Sequence, residues 1–285
     1  MSGEERKLRI HVLHCGSMLV SEKVPSGGGV SLKNAMHGVF DGASKRVELP
    51  VSAYLIEHPQ GLVLVDTGWS REISPEGVYD PAAVRKQLPA HLAAFYRPWV
   101  ERGAAAVEQL AAMGIRPEDL HTVLLTHLDP DHTSGLHSLR NAKRLLLPEE
   151  ERWWCLRTVY KMRQPKELWM DLPVEVFWFK GTMDGPLWWS YDLFGDETVK
   201  LVCLPGHTDG MVGLKIKNGD KFVILTSDAA YSDASWRDML LPGFGFNPVA
   251  MKKSLDWIAK EAADPNCVAV IANHDPAVRP QVIEL

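Results

Sequence analysis

The feature that most constrains this chain is the segment 126–135, which reads Thr-His-Leu-Asp-Pro-Asp-His-Thr-Ser-Gly. It places two histidines and two aspartates within six positions, directly after the apolar run 121–126. A divalent cation needs several nitrogen or oxygen donors at about 2 Å, and imidazole with carboxylate suits zinc, iron or manganese. The segment therefore predicts a metal site at the end of a β-strand, although Asp-Pro dipeptides also begin ordinary polar turns.

Three further residues of ligand type stand in the same context elsewhere in the chain. His207 follows the strand-like run 199–204, Asp228 follows 221–227, and His274 follows 267–272. Open sheets place their ligand sites beyond the ends of their strands. We therefore expect these residues to meet the first segment at one sheet edge. The candidate metal ligands are His127, Asp129, Asp131, His132, His207, Asp228 and His274.

Composition narrows the class of protein. The chain has 285 residues, 46% of them hydrophobic, and a formal net charge of −5. Since it contains no basic cluster, nucleic-acid binding is not expected, and a small-molecule substrate is the better prediction. The polar N-terminus and the absence of an apolar run near the ~18 residues of a membrane span predict a soluble, cytoplasmic protein.

The four cysteines are widely separated and show no CxxC spacing, which argues against a disulfide framework. Cys203 and Cys267 lie within apolar strand-like runs, so they are predicted to be buried free thiols. The sequence also lacks Gly-x-Ser-x-Gly and a phosphate-binding loop, since 27–29 is not followed by the required lysine.

Local patterns predict several elements around these motifs. The runs 49–57 and 61–68 read as a β-hairpin, and Asp66 at its end could accept the free N–H of a ligand histidine. A second hairpin is predicted at Asn218-Gly219, and Asn247-Pro248 has the form of a helix start. We find no repeat or interdomain linker, so residues 1–285 are expected to form a single domain.

Six of the ten tryptophans fall between positions 153 and 191. They could line an apolar pocket for a hydrophobic substrate arm, because aromatic side chains offer a large contact area. They could equally form a satellite core or a dimer interface. The sequence leaves these alternatives open.

The order His-x-x-x-Asp-His, Gly-His-Thr, Asp and His, each after a strand, resembles the metallo-β-lactamase superfamily. In detail the chain is most similar to the N-acyl homoserine lactone hydrolases, the quorum-quenching lactonases. The similar sequence motifs are Leu-Pro-Val-x-x-Tyr-Leu at 49–55, Leu-Val-Asp-Thr-Gly at 64–68, Asp-Ala-x-Tyr at 228–231 and Gly-Phe-Asn-Pro at 245–248. The fold that this resemblance implies is of α/β class, an αβ/βα four-layer sandwich with two mixed β-sheets flanked by helices.

The resemblance also implies roles for individual residues. His127, position 129 and His207 would hold one metal, while Asp131, His132 and His274 would hold the second. Asp228 would bridge two divalent ions, with zinc as the first expectation and iron or manganese as alternatives. Tyr231 would reach the substrate carbonyl, and Asp131 would carry a proton. A homodimer is also consistent with the family.

The chain departs from the family pattern at one position, where Asp129 stands in place of the second histidine of His-x-His-x-Asp-His. If this carboxylate reaches the metal, the site carries an extra negative charge; if it does not, the protein could hold one metal. The flavodiiron proteins, a related branch, have glutamate there. The function predicted is hydrolysis of a lactone ring, most of all that of an N-acyl homoserine lactone. The alternatives are another ester, lactone or phosphoester, or a non-catalytic metal- or ligand-binding module.

Overall fold

The structure is a computed structural model that describes residues 8–29, 45–157 and 160–285. Its strands form two β-sheets. The first has the order β14-β1-β2-β3-β5-β6-β7, with β4 paired to β1, and the second has the order β13-β12-β11-β10-β9-β8. The strands are Arg9–Ser21 (β1), Arg46–His58 (β2), Gly61–Val65 (β3), Pro98–Trp99 (β4), Leu120–Leu124 (β5), Leu145–Pro148 (β6), Val174–Phe177 (β7), Lys180–Gly181 (β8), Trp189–Asp192 (β9), Val199–Cys203 (β10), Val212–Asn218 (β11), Lys221–Leu225 (β12), Cys267–Ile271 (β13) and Gln281–Glu284 (β14).

Both predicted hairpins are confirmed. Strands β2 and β3 pair antiparallel, with Tyr54 opposite Val65, and β11 pairs with β12, with Asn218 opposite Lys221. Gly219 has a φ of +59°, the backbone region that a tight turn needs and that glycine adopts without steric cost.

Each sheet is mixed, as predicted. Strands β3, β5, β6 and β7 run parallel in the first sheet, and β12 and β13 run parallel in the second. Parallel neighbours need a crossover connection, and their carboxyl ends emerge at the same edge. Within the second sheet the ends of β12 and β13 therefore share one edge, and the side chains that follow them meet those that follow β5 of the first sheet.

The main core lies between the two sheets. Ile10 and Val65 of the first sheet belong to one buried cluster with Leu201, Leu214 and Val223 of the second. Fully burying one such aliphatic side chain contributes about 1.5–3 kcal/mol. Because the alternate residues of each strand point to the opposite face, the sheets also need outer partners.

Helices supply those outer partners. Leu110 of α4 packs on the outer face of the first sheet, and Leu255 and Ile258 of α8 pack on that of the second. The resulting helix–sheet–sheet–helix order confirms the four-layer arrangement that the family resemblance implies. The helices are Lys23–Ser26 (α1), Pro81–Gln87 (α2), Ala90–Tyr96 (α3), Ala106–Ala112 (α4), Pro130–Thr133 (α5), Glu149–Cys155 (α6), Asp233–Arg237 (α7) and Pro248–Ala262 (α8).

Helix α8 begins where the sequence predicted. The Asn247 side chain accepts a hydrogen bond from the Ala250 N–H at 3.0 Å, and Pro248 occupies the first helical position. Such a cap satisfies one of the backbone N–H groups that a helix start leaves without a partner.

Two features differ from the sequence-based expectations. Strand β14 was not predicted, and it pairs with β1 at the edge of the first sheet. Cys267 is only half-buried, whereas Cys203 is buried as expected; the cysteines are free thiols. In the described part of the chain, no helix has both the length and the apolar character that a bilayer span requires.

Gly206 provides a test of how tightly α8 is packed beside the site. Its φ is +134°, and a Cβ atom there would overlap the backbone nitrogen of Met251. A positive φ costs a non-glycine residue about 1–2 kcal/mol, and overpacking adds about 1–3 kcal/mol. We expect Gly206→Ala to lower the free energy of unfolding by the sum of the φ cost and the overpacking cost. Gly219→Ala is the matched control, because it has a positive φ but open space around its Cβ. If urea unfolding showed the same loss of unfolding free energy for both variants, the close packing of Gly206 against α8 would be contradicted.

Candidate metal centre

The seven predicted ligands come together where the strand ends of both sheets meet. His127, Asp129, Asp131 and His132 lie on the loop after β5 and on the short α5 that follows it. His207 lies beyond β10, while Asp228 and His274 lie beyond β12 and β13. Each of these side chains belongs to a residue that is at most 2% exposed. Burial of so many polar groups requires that they be paired or that they bind an ion.

One group of donors contains Asp131, His132 and His274, whose ligand atoms lie within 4.8 Å of one another. The Nε2 atom of His274 lies 3.3 Å from Asp131 Oδ2 and 3.2 Å from Asp228 Oδ2. His132 Nε2 lies 3.2 Å from Asp228 Oδ1. Two imidazoles and two carboxylates therefore face a common point.

His127, Asp129 and His207 form a second group, also within 4.8 Å. Asp129 Oδ2 lies 3.5 Å from His127 Nε2 and 3.2 Å from His207 Nε2. Among the described residues, His127 Nε2 is buried with no hydrogen-bond partner. Since an unpaired buried nitrogen costs about 1–3 kcal/mol, its position fits a metal ligand.

The outer nitrogen of three histidines is held by a hydrogen bond. His132 Nδ1 lies 2.8 Å from Asp66 Oδ2, His274 Nδ1 lies 2.8 Å from Pro50 O, and His207 Nδ1 lies 3.2 Å from Phe244 O. When Nδ1 donates to these oxygens, each ring presents the lone pair of Nε2 to the cluster. The role suggested for Asp66 is therefore consistent with its position. Asp66 is itself fixed, because Oδ1 accepts a hydrogen bond from the Thr126 N–H at 2.8 Å.

Charge and burial shift the pKa values of the cluster. Burial raises the pKa of Asp131. Burial opposes ionisation of Asp228 too, but His274, His132 and His207 hold its pKa well below the usual range. Burial and the charge of Arg163 lower the pKa of His207 to about 4, so its imidazole is neutral at physiological pH.

Tyr231 lies beside the carboxylate that was predicted to bridge. Its hydroxyl donates a hydrogen bond to Asp228 Oδ2 at 3.0 Å, and its ring stacks on His274 with the ring centres 5.2 Å apart. Burial, with the negative charge of Asp228, raises the pKa of Tyr231 well above its ordinary value. The phenol therefore remains protonated and able to donate.

Sequence reasoning missed Arg163, which contacts two of the predicted ligands. Its Nε donates to both oxygens of Asp129, at 2.7 and 2.9 Å, and its Nη2 contacts Asp129 Oδ2 and His207 Nε2. Burial opposes ionisation of Asp129, but Arg163 holds its pKa well below the usual range. The signal available in the sequence was Asp129 itself, because an extra buried carboxylate needs a cationic partner.

Sequence reasoning also missed Glu151 of α6, which is fully buried. Its Oε1 accepts a hydrogen bond from the Leu128 N–H at 3.2 Å, and the Gln164 side chain donates to the same oxygen at 2.5 Å. Glu151 thereby fixes the backbone of the loop that carries His127 and Asp129.

The space in front of the cluster has an apolar wall. Its lining residues are Met18, Val20, Val24, Phe95, Tyr96, Asp129, Asp131, Asp228, Tyr231 and Phe244. The space measures about 10 Å³, room for about one water, so a larger molecule must displace wall side chains.

None of the six tryptophans of 153–191 is among the residues lining this space. Trp178 and Trp188 are 60% and 66% exposed, whereas Trp169 packs in the core on the outer face of the first sheet. The role of these tryptophans stays a prediction, with none of them in the wall of this space. The apolar wall comes instead from β1, α1, α3 and the loop before α8.

Comparison with known proteins agrees with this geometry. The model of the metallo-β-lactamase superfamily matches residues 46–272. The chain is 27% identical over 259 residues to the N-acyl homoserine lactonase AttM of Rhizobium radiobacter, covering 86% of this chain and 90% of that protein. It is 26% identical over 233 residues to an N-acyl homoserine lactonase of Bacillus thuringiensis, covering 81% and 83%.

Solved structures share the same fold. A mutant of AiiA from B. thuringiensis, described with N-decanoyl-L-homoserine bound at its active site, matches with a TM-score of 0.73 at 21% identity, covering 96% of this chain and 98% of that one. AidC, described as a dizinc quorum-quenching lactonase, matches with a TM-score of 0.62 at 15% identity, covering 98% and 94%. The match to the superfamily model, the two mixed sheets and the histidine–aspartate cluster at their common edge lead to one conclusion: this chain belongs to the metallo-β-lactamase superfamily.

Proposed function

We propose that this chain is a metal-dependent hydrolase that opens the ring of N-acyl homoserine lactones. One observation carries the proposal: a buried cluster of imidazole and carboxylate donors lies beside a protonated tyrosine, under an apolar wall. The curated relatives named above, which align along most of the chain, are N-acyl homoserine lactonases.

In this proposal Asp131, His132, Asp228 and His274 hold a divalent ion. The mixture of nitrogen and oxygen donors suits zinc first, with iron or manganese as alternatives. Such an ion supplies an acidified water and a Lewis acid for a carbonyl oxygen. The protein's own residues orient the substrate and handle the protons.

Tyr231 acts on the carbonyl oxygen of the lactone. Because its pKa is raised, the phenol keeps its proton and donates a hydrogen bond to the oxygen as negative charge develops there. Before substrate arrives, the single phenolic proton is donated to Asp228 Oδ2, which holds the hydroxyl at the edge of the cluster; the O–H turns from Asp228 to the carbonyl oxygen when the lactone binds.

Asp131 moves the proton. Its buried carboxylate belongs to the group of ligand atoms that would hold the ion, so it lies beside a water that the ion would bind. Asp131 takes a proton from the attacking water. It delivers this proton to the ring oxygen as the bond between the carbonyl carbon and the ring oxygen breaks. One water is consumed, and the product is an open hydroxy acid.

The apolar wall receives the acyl arm. Met18, Val20, Val24, Phe95 and Phe244 present carbon atoms to the space in front of the cluster. Each methylene that leaves water contributes about 0.8 kcal/mol, which favours a longer arm once the wall has moved aside.

The direct test is ring opening of N-hexanoyl and N-decanoyl homoserine lactone by metal-loaded protein, followed by proton release. We expect turnover of both, loss of turnover with a chelator, and recovery with one of zinc, iron or manganese. Asp228→Ala is the control, because it removes a carboxylate from the cluster. Hydrolysis of an aryl ester but of neither lactone would identify a different ester substrate. No hydrolysis of any of them would favour a binding module.

Tyr231→Phe should lower kcat by about 100-fold, the typical effect of removing one oxyanion donor, with a small change in KM. The metal content should stay the same, since the hydroxyl is not a proposed ligand. Tyr79→Phe serves as the control, because this side chain is 43% exposed on the surface. A kcat within twofold of the unmodified chain would remove Tyr231 from the mechanism.

Asp66→Asn should weaken metal binding by about 10–100-fold, because it changes the group that orients His132. Competition with a coloured chelator measures this affinity. Asp196→Asn is the matched control: its Oδ2 lies 3.4 Å from His58 Nε2, a histidine that is not among the predicted ligands. The same affinity in both variants would show that Asp66 has no orienting role.

A further inference from the structure

The guanidinium of Arg163 lies between Asp129 and His207, two of the three residues predicted to hold the first ion. Its Nε and Nη2 both donate to the Asp129 carboxylate, and together they contact both of its oxygens. The same Nη2 also contacts His207 Nε2, the nitrogen whose lone pair would bind an ion. One nitrogen of Arg163 therefore contacts the ligand atoms of two residues at once.

The surroundings of Arg163 form a complete binding site for a guanidinium. Its Nη1 donates to the His207 carbonyl oxygen at 3.2 Å. The guanidinium carbon lies 4.2 Å from the ring centre of Phe244 and 4.8 Å from that of Phe246, within the range of a cation–π interaction. The residue is 6% exposed. Since hydrogen bonds and two rings hold this long side chain, its position is fixed by the fold.

An ion held by Asp129 and His207 would lie about 2 Å from an oxygen of one and the Nε2 of the other. Arg163 Nη2 already contacts both of these atoms, and one position cannot hold both cations. Binding there would expel the guanidinium and leave a buried positive charge without its carboxylate, which is strongly unfavourable.

We propose that the Arg163 guanidinium takes the place of one of the two metal ions, so that this chain binds a single divalent ion. The inference rests on the metal dependence proposed above. The ion is held by donors from Asp131, His132, Asp228 and His274. His127 remains within reach, because its ligand nitrogen also forms a group within 4.8 Å with those of His132 and Asp228.

The substitution at position 129 then has a chemical reason. A neutral histidine at position 129 would not repel the Arg163 guanidinium. It would, however, give that guanidinium no negatively charged partner. An aspartate accepts both N–H groups of one edge of an arginine, which is the geometry that arginine prefers. Asp129 and Arg163 therefore act as a pair, and the pair replaces a histidine and a metal ion.

The test is the number of ions bound per chain, measured by elemental analysis after dialysis against excess zinc and, separately, manganese. We expect about one ion per unmodified chain. Arg163→Met/Asp129→His should bind two, because it restores the imidazole and removes the guanidinium. Arg163→Met alone should also gain an ion at His127, Asp129 and His207. Arg157→Met is the matched control, since Arg157 stacks on Trp153 at the surface, and it should still bind one.

The outcomes separate this inference from the proposed function. Two ions in the unmodified chain would overturn the role of Arg163 while leaving metal-dependent hydrolysis intact. One ion in every variant, including a folded double variant, would also overturn it. No bound ion in the unmodified chain would overturn both. Cobalt loading gives a second readout, because a second ion in the double variant would add its own visible absorption to that of the unmodified chain.

Discussion

The burial of four carboxylates close together is the constraint on which the rest of this structure depends. Asp66, Asp129, Asp131 and Asp228 are each at most 2% exposed. Charged groups leave water only when they are paired, hydrogen-bonded or bound to a cation. Each carboxylate has different partners. Asp66 accepts a hydrogen bond from Thr126 and faces His132. Asp129 pairs with Arg163, and Asp228 accepts a hydrogen bond from Tyr231. Asp131 lies 3.6 Å from His132 Nε2 and 3.3 Å from His274 Nε2, and it is the carboxylate whose pKa burial raises.

The buried carboxylates differ in how far their pairing depends on a metal ion. The pair of Asp129 and Arg163 is complete without any ion, since every oxygen of the carboxylate is bound by nitrogen of the same chain. Asp228 has different partners: His274, His132 and His207 hold its pKa well below the usual range, and the Tyr231 hydroxyl donates to it. The cluster is therefore asymmetric. Asp129 and Arg163 form a complete ion pair, whereas the donors around Asp228 have the chemistry of a metal site. AidC, whose fold is similar, is described as a dizinc lactonase.

Much of the fold could be predicted from the sequence, because its signals are local. Alternation, the Asn-Gly turn and the Asn-Pro helix start each act over a few residues, and the strand-end donors marked the edge where the site lies. What the sequence could not supply was long-range pairing. Arg163 is 34 positions from Asp129, in a segment with no strong periodicity, and nothing local predicts that it turns inward. The tryptophans show the same limit, since composition drew attention to 153–191 whereas the apolar wall of the site comes from other elements.

The pairing of β14 with β1 has a consequence for how the chain could be reconnected. The Leu285 N–H donates to the Leu8 carbonyl at 2.9 Å, and the Leu8 N–H donates to the Leu285 carbonyl at 3.3 Å. Residue 285 and the start of β1 are thus neighbours on one sheet edge. Circular permutation succeeds where termini lie close together. The fold could accordingly be rebuilt with residue 285 joined to Leu8 by a short linker and new ends opened at the Asn218-Gly219 turn of the second sheet, while the order of the strands in space stays as it is.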